Sequence, residues 1–228
     1  MLPAPDLANA VTSFSTIGAG ATTLALARLV APRHPQRWML VWAALFVTGI
    51  PTLGWHGWGV VMPDGRGEIW RVTDVATNLL LAFTIQLAVA GDFYARRFRT
   101  RLAIGSGALN TAAIAGLIHE GVTGVKNYAI PLGEFGGFYP GEAMLIADSF
   151  LVVGLFYAAR HQIAREAMPL LHCVTGIFLV GLGLATADGS VVVGRVGAMH
   201  ALWHVVGGFG FVFLWAFVHV RLRAGERS

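Results

Sequence analysis

The chain has 228 residues, of which 56% are hydrophobic and 12% charged. Soluble domains carry about 25% charged residues, so this chain has too little charge to coat a water-facing surface of its size. Its net charge of +4 comes from basic residues grouped in short clusters between long apolar runs. That is the distribution of an integral membrane protein, and it excludes a nucleic-acid binder and a disordered chain.

A transmembrane helix needs about 20 apolar residues. Seven runs qualify, at about 7–30, 38–61, 70–91, 102–121, 142–160, 168–187 and 197–220. The expected fold is therefore all-α: a seven-helix bundle spanning 1–228 as one domain. No basic region precedes the first run, so no cleaved signal peptide is expected. Runs four to six are richest in Gly and Ala, which let helices approach closely in lipid. The longest connection, 122–141, carries Tyr128, Pro131, Phe135, Phe138 and Tyr139. It reads either as a lid over a lipid site or as an ordinary interfacial loop. Trp38, Trp55, Trp58 and Trp70 fall near run ends, where interfacial tryptophans belong. The single cysteine, Cys173, excludes an intrachain disulfide and a cysteine-based metal site.

The connections alternate in charge. Arg33 and Arg37 follow run one; Arg96, Arg97, Arg99 and Arg101 follow run three; Arg160 and Arg165 follow run five; Arg221, Arg223 and Arg227 follow run seven. The other side is nearly balanced, with Asp64, Arg66, Glu68 and Arg71, then Lys126, Glu134 and Glu142. The positive side is cytoplasmic. The N-terminus is then outside and the C-terminus cytoplasmic.

Ionisable residues inside a membrane are costly and are functional candidates. This topology places His56 near the outer end of run two and Asp74 one turn into run three. His200 and His204 fall in the first two turns of run seven. Four residues from three helices share one level. His200 and His204, four positions apart, present both imidazoles on one helix face, within reach of one metal. His56 would complete a three-histidine site. Zinc in catalytic sites commonly takes three protein ligands and keeps a fourth position for water, whose pKa it lowers to about 7. Asp74 would accept that water's proton and pass it on. Thr52, one turn before His56, would hold the water or steady an oxyanion. The same histidines also suit haem or pigment ligation in an electron-transfer subunit, or a receptor in which the metal is structural. Retinal is disfavoured, because Lys126 is the only lysine and lies in a connection. A second polar group comprises His119, Glu120, Glu142, Asp148 and Asp188. It can orient the metal-bound imidazoles or form a separate ion site. Asn78 and Thr77 read as helix-bridging hydrogen-bond formers.

The stretch Met199-His200-Ala201-Leu202-Trp203-His204, followed by Gly207-Gly208-Phe209-Gly210, resembles the last transmembrane helix of alkaline ceramidases, with its His-Ala-x-x-His element. Thr52-Leu53-Gly54-Trp55-His56 resembles the Ser-x-x-x-His element of that family's second helix, and Asp74 matches the family's aspartate. The wider group, the CREST superfamily, includes adiponectin-receptor-like and hemolysin-III-like proteins. The resemblance implies an intramembrane zinc hydrolase of a lipid amide, ceramide-like or another acyl amide. His56, His200 and His204 would be the Zn2+ ligands and Asp74 the proton carrier. Thr52 stands where the family has serine, and the spacing from His56 to Asp74 is nearer that of adiponectin-receptor-like members. The acidic calcium-binding segment of animal alkaline ceramidases has no counterpart. Arginine-rich composition points to a bacterial inner membrane, with the site near the periplasmic leaflet.

Overall fold

The computed structural model describes residues 4–30, 34–59, 67–125, 127, 129–131, 137–188 and 199–225. Seven helices carry the chain: α1 (Ala4–Leu29), α2 (Gln36–Gly57), α3 (Glu68–Phe93), α4 (Arg96–Thr123), α5 (Pro140–Ala158), α6 (Met168–Asp188) and α7 (Met199–Gly225). Each is long and apolar enough to cross a membrane. The architecture is thus the all-α seven-helix bundle that the apolar runs predict. The largest shift in boundary is at α4, which begins at Arg96 rather than near 102. Hydropathy stops at the arginine cluster, but arginine is a good helix former, and the helix continues through it. In the 122–141 connection, β1 (Ile130–Pro131) and β2 (Gly137–Phe138) pair antiparallel. Tyr128, Phe135 and much of the expected lid lie outside the described residues.

Helix α1 packs between α2 and α7, α3 packs on α2, α4 and α5, and α6 packs on α7. Small residues set the closest approaches, in part where the Gly and Ala content points: a Cβ at Gly121 of α4 would meet Val72 at 3.0 Å, and one at Gly141 of α5 would meet Leu117 at 2.7 Å. A Cβ at Gly20 would meet the Phe46 backbone at 2.5 Å, and one at Gly49 would meet Ile17 at 2.5 Å. These glycines let α1 and α2 touch backbone to backbone. A Cβ at Gly208 of α7 would meet the Ser15 carbonyl oxygen of α1 at 3.1 Å. By contrast Gly105, Gly116, Gly154, Gly176 and Gly183, on α4 to α6, face open space. Composition counts glycines, whereas packing depends on which helix face they occupy.

The apolar core gathers Trp38, Trp42, Leu45, Leu81, Ile85, Val89, Phe156 and Phe217 from the four helices α2, α3, α5 and α7. Trp38 is fully buried, not interfacial, because its indole Nε1 donates to Asp92 Oδ2 at 2.8 Å. Asp92, at the end of α3, also pairs with Arg37 of α2 and Arg221 of α7. This clamp closes the arginine-rich end of the bundle, where the start of α2 and the ends of α3 and α7 meet.

Candidate metal centre

At the opposite end, α2 finishes while α3 and α7 begin. His56 occupies the last turn of α2 and is buried, whereas His200 and His204 on α7 are half-buried. His200 Nε2 lies 3.1 Å from His56 Nε2, and His204 Nε2 lies 3.2 Å from it. The candidate ligand atoms of all three histidines fall within 4.8 Å of one another. Two nitrogens bound tetrahedrally at the usual zinc distance of 2.0–2.1 Å stand about 3.3 Å apart. The two separations to His56 therefore already match the spacing that one small metal ion requires. Three converging neutral nitrogen donors are the donor set that fits such an ion. Trp203 packs against both α7 imidazoles, edge-on to His200 and stacked on His204.

The α7 turn that carries the histidines is fixed from α1. Ser15 Oγ donates to the His204 carbonyl at 2.7 Å, and Gly208 leaves room for that approach. Sequence reading did not single out Ser15. A serine in an apolar run carries no distinguishing local signal, and its partner is 189 positions away.

Asp74, in the second turn of α3, faces the same region and lies within electrostatic reach of His200. Thr52 Oγ1 donates to Asp74 Oδ1 at 2.5 Å, and Asn78 Nδ2 donates to the same oxygen at 3.1 Å. Thr52 is thus committed to the carboxylate as well as to the Thr48 carbonyl at 3.0 Å. Its hydroxyl thus holds Asp74 from α2. Arg71, one turn before Asp74 on α3, pairs instead with Glu68 at 2.7 Å and Glu120 at 3.5 Å. Helix α3 can sit this near α2 because Gly54 has no side chain where the Trp70 ring lies. Thr48 Oγ1 donates to the Thr77 carbonyl at 3.2 Å, which joins α2 to α3, but among the described residues the side chains of Thr77 and Asn78 bond within α3 and do not bridge helices.

The second polar group divides. His119 is exposed. Glu120 is buried and joined to Arg71. Glu142 accepts the Tyr139 backbone N–H at 3.0 Å, which caps the start of α5. It also lies within electrostatic reach of Arg71, Glu120 and His200. Asp148 is buried elsewhere, against Gln86 of α3. The side chain of Asp188 lies outside the described residues, as do Asp64, Arg66, Lys126 and Glu134 of the balanced connections.

The fold and this site together define an all-α bundle of seven membrane-length helices with a three-histidine cluster able to hold a metal ion. No protein-family model and no curated protein matches the sequence.

Proposed function

We propose that the chain is an intramembrane zinc-dependent hydrolase of a lipid amide or ester bond, similar in activity to the alkaline ceramidases. The observation that carries this reading is the convergence of three imidazole nitrogens beside a carboxylate that is itself positioned by two donors. His56, His200 and His204 would hold the zinc. Bound zinc supplies a Lewis acid for a carbonyl oxygen and lowers the pKa of water. Three imidazoles, with no fourth ligand grouped with them among the described residues, are the pattern of a catalytic zinc site rather than a closed structural one. They converge on one point, which favours a small ion over haem, whose axial ligands stand on opposite faces of a wide ring.

Thr52 and Asn78 both donate to Asp74 Oδ1. Among the described residues nothing hydrogen-bonds Oδ2, which is left to take a proton from the attacking water and return it to the leaving group. Thr52 and Asn78 then act as positioning residues, keeping the carboxylate turned toward the histidines.

The arginine-rich end, with Arg37, the Arg96–Arg101 cluster, Arg160, Arg165, Arg221 and Arg223, lies opposite the histidines. The positive-inside rule then places the N-terminus outside and the site at the outer leaflet, periplasmic in a bacterial inner membrane. Side chains tie α5 to α6 through Phe150–Phe178 and Tyr157–His172. These contacts lie away from the histidine end. The backbone of α5 packs on α3 and α4, whereas α6 packs on α7. The substrate would enter sideways between helices, its head group toward the outer leaflet.

Elemental analysis of the purified protein tests the metal, with an absorption spectrum beside it. About one zinc per chain is expected, absent from His200→Ala/His204→Ala, with no visible band. The zinc-loaded protein should then cleave members of a panel of acyl amides and acyl esters. A Soret band in place of zinc, or a zinc-loaded protein inert toward the whole panel, would overturn the reading.

A further inference from the structure

Away from the metal centre, four polar side chains are buried together where α3 meets α4 and α5. Gln86 is 0% exposed, Asp148 1%, Asn110 3% and Ser106 6%. They form one chain of hydrogen bonds. Asn110 Nδ2 donates to the Ser106 carbonyl at 3.0 Å, Ser106 Oγ to Gln86 Oε1 at 2.5 Å, and Gln86 Nε2 to Asp148 Oδ1 at 2.7 Å. Asn110 also lies against the Asp148 carboxyl. Two atoms are left over, Asp148 Oδ2 and Asn110 Oδ1. Both are acceptors, and neither has a donor.

The cluster is isolated from charge. Asp148 sits near the middle of α5 and makes no ion pair among the described residues. On α3, Asp74 is about 18 Å along the helix from Gln86 and Asp92 about 9 Å away, where it faces its arginines. On α4 the nearest charges are Arg101, about 8 Å from Ser106, and Glu120, about 15 Å from Asn110. On α5 Glu142 is about 9 Å from Asp148 and Arg160 about 18 Å away. An ionised carboxylate here would stand at mid-membrane with neutral neighbours and one oxygen unbonded, an arrangement that membrane interiors strongly disfavour. Exchanging the Asn110 oxygen and nitrogen would not help, because the amide oxygen would then face the Ser106 carbonyl.

A protonated carboxyl gains one O–H donor, and the cluster lacks a donor and has an acceptor to spare. A hard divalent cation takes six or more oxygens, whereas only two here are uncommitted. We propose that Asp148 is a proton-binding site in the middle of the membrane, holding one proton from solvent at neutral pH so that Oδ2–H supplies the missing donor. The charge of the cluster falls from −1 to zero, and α3, α4 and α5 are joined by a fully neutral network. This site is independent of the metal centre and of the hydrolase reading.

Infrared spectroscopy of the full chain in lipid nanodiscs at pH 7 tests it. A carboxylic-acid C=O band that moves down in D2O is expected in the wild type and in Asp74→Asn, and is expected to be missing from Asp148→Asn. Replacing sodium chloride with choline chloride should leave the band unchanged. Loss of carboxylate bands alone in Asp148→Asn would overturn the proposal. An acid band seen only when sodium is withdrawn would also overturn it, and would mark a sodium site. If Asp148→Asn does not fold, the Asp74→Asn chain labelled with 13C at the aspartate carboxyl decides. Among the described residues its one buried aspartate without an arginine partner is Asp148, so an acid band that does not shift on labelling would refute the proposal.

Discussion

Removing one imidazole from the histidine cluster should uncouple the stability of the protein from metal. A ligand that binds only the folded chain stabilises it by RT ln(1 + [L]/Kd). With free zinc held at a hundred times Kd, this amounts to about 2.7 kcal/mol. For a chain of this length 1 kcal/mol moves the melting temperature by about 2–4 °C, so chelation should lower it by roughly 5–11 °C. The three nitrogens lie 3.1 and 3.2 Å apart around His56, and His200→Ala leaves two. Loss of a group that merely orients a metal ligand costs 10–100-fold in affinity, and loss of the ligand itself should cost at least the upper figure. At the same free zinc the ratio [L]/Kd then falls to about one, and the stabilisation to about 0.4 kcal/mol. Thermal unfolding in detergent, followed with and without chelator at buffered free zinc, reads this directly. A chelator shift of equal size in wild type and His200→Ala would refute the site.

Asp74→Asn should retain the metal and lose turnover, and retention of full activity would remove Asp74 from the chemistry. Thr52→Val deletes a buried hydrogen bond to the Asp74 carboxylate, worth about 1.5–3 kcal/mol; kcat should fall by roughly 10–100-fold while zinc content is unchanged. Asp92→Asn leaves Arg37 and Arg221 without their shared carboxylate. Arg37 is 42% exposed and open to water whereas Arg221 is mostly buried, so equilibrium unfolding should show a loss of about 3 kcal/mol, the lower end for a broken buried pair, while metal content persists. Burial, with His219 and Arg221 beside it, lowers the pKa of His34 to about 4 from 6.5. The unfolded chain therefore binds the extra proton between those values, and stability should fall as pH drops from 6.5 toward 4, by up to about 1.4 kcal/mol per unit. His34→Phe, which can keep the stacking on Trp215, should flatten that part of the pH profile.

Much of the candidate centre was legible because a membrane helix removes two degrees of freedom. Topology fixes the depth of each residue, and spacing along a helix fixes its face. His200 and His204 share a face by spacing alone, and His56 and Asp74 share their depth by topology. What neither constraint supplies is the lateral order of the helices. Glu120, Glu142 and Asp148 could therefore be placed by depth but not assigned to partners. The packing of α5 on α3 and α4 is what sends Asp148 to Gln86 and leaves Arg71 with Glu120. Trp38 was misplaced for the same reason. Its position near the start of α2 suggests the interface, and only the arrival of Asp92 from α3 explains why its indole is buried. His34 gave no sequence signal, since it lies in a connection and is buried only by the stacking of Trp215 and His219 of α7.

Helix α1, which contributes no candidate ligand, has a structural part in setting the centre. The candidate ligands come from α2 and α7, and α1 packs extensively against both. Gly20 and Gly49 draw α2 against α1 backbone to backbone, while Gly208 and Ser15 draw α7 against its other side. The separation of His56 from His200 and His204 is therefore set by the thickness of α1 at these contacts. A metal ion tolerates only a few tenths of an ångström in ligand distance. A Cβ at Gly49 would meet Ile17 well inside normal contact, so something must shift, and α2 is the element that carries His56. On this argument the small residues of α1, α2 and α7 serve the metal centre as well as the stability of the bundle. The Asp92 clamp at the far end fixes the same helices α2 and α7 against α3. Held at both ends, the bundle can keep three imidazoles converged before any metal arrives.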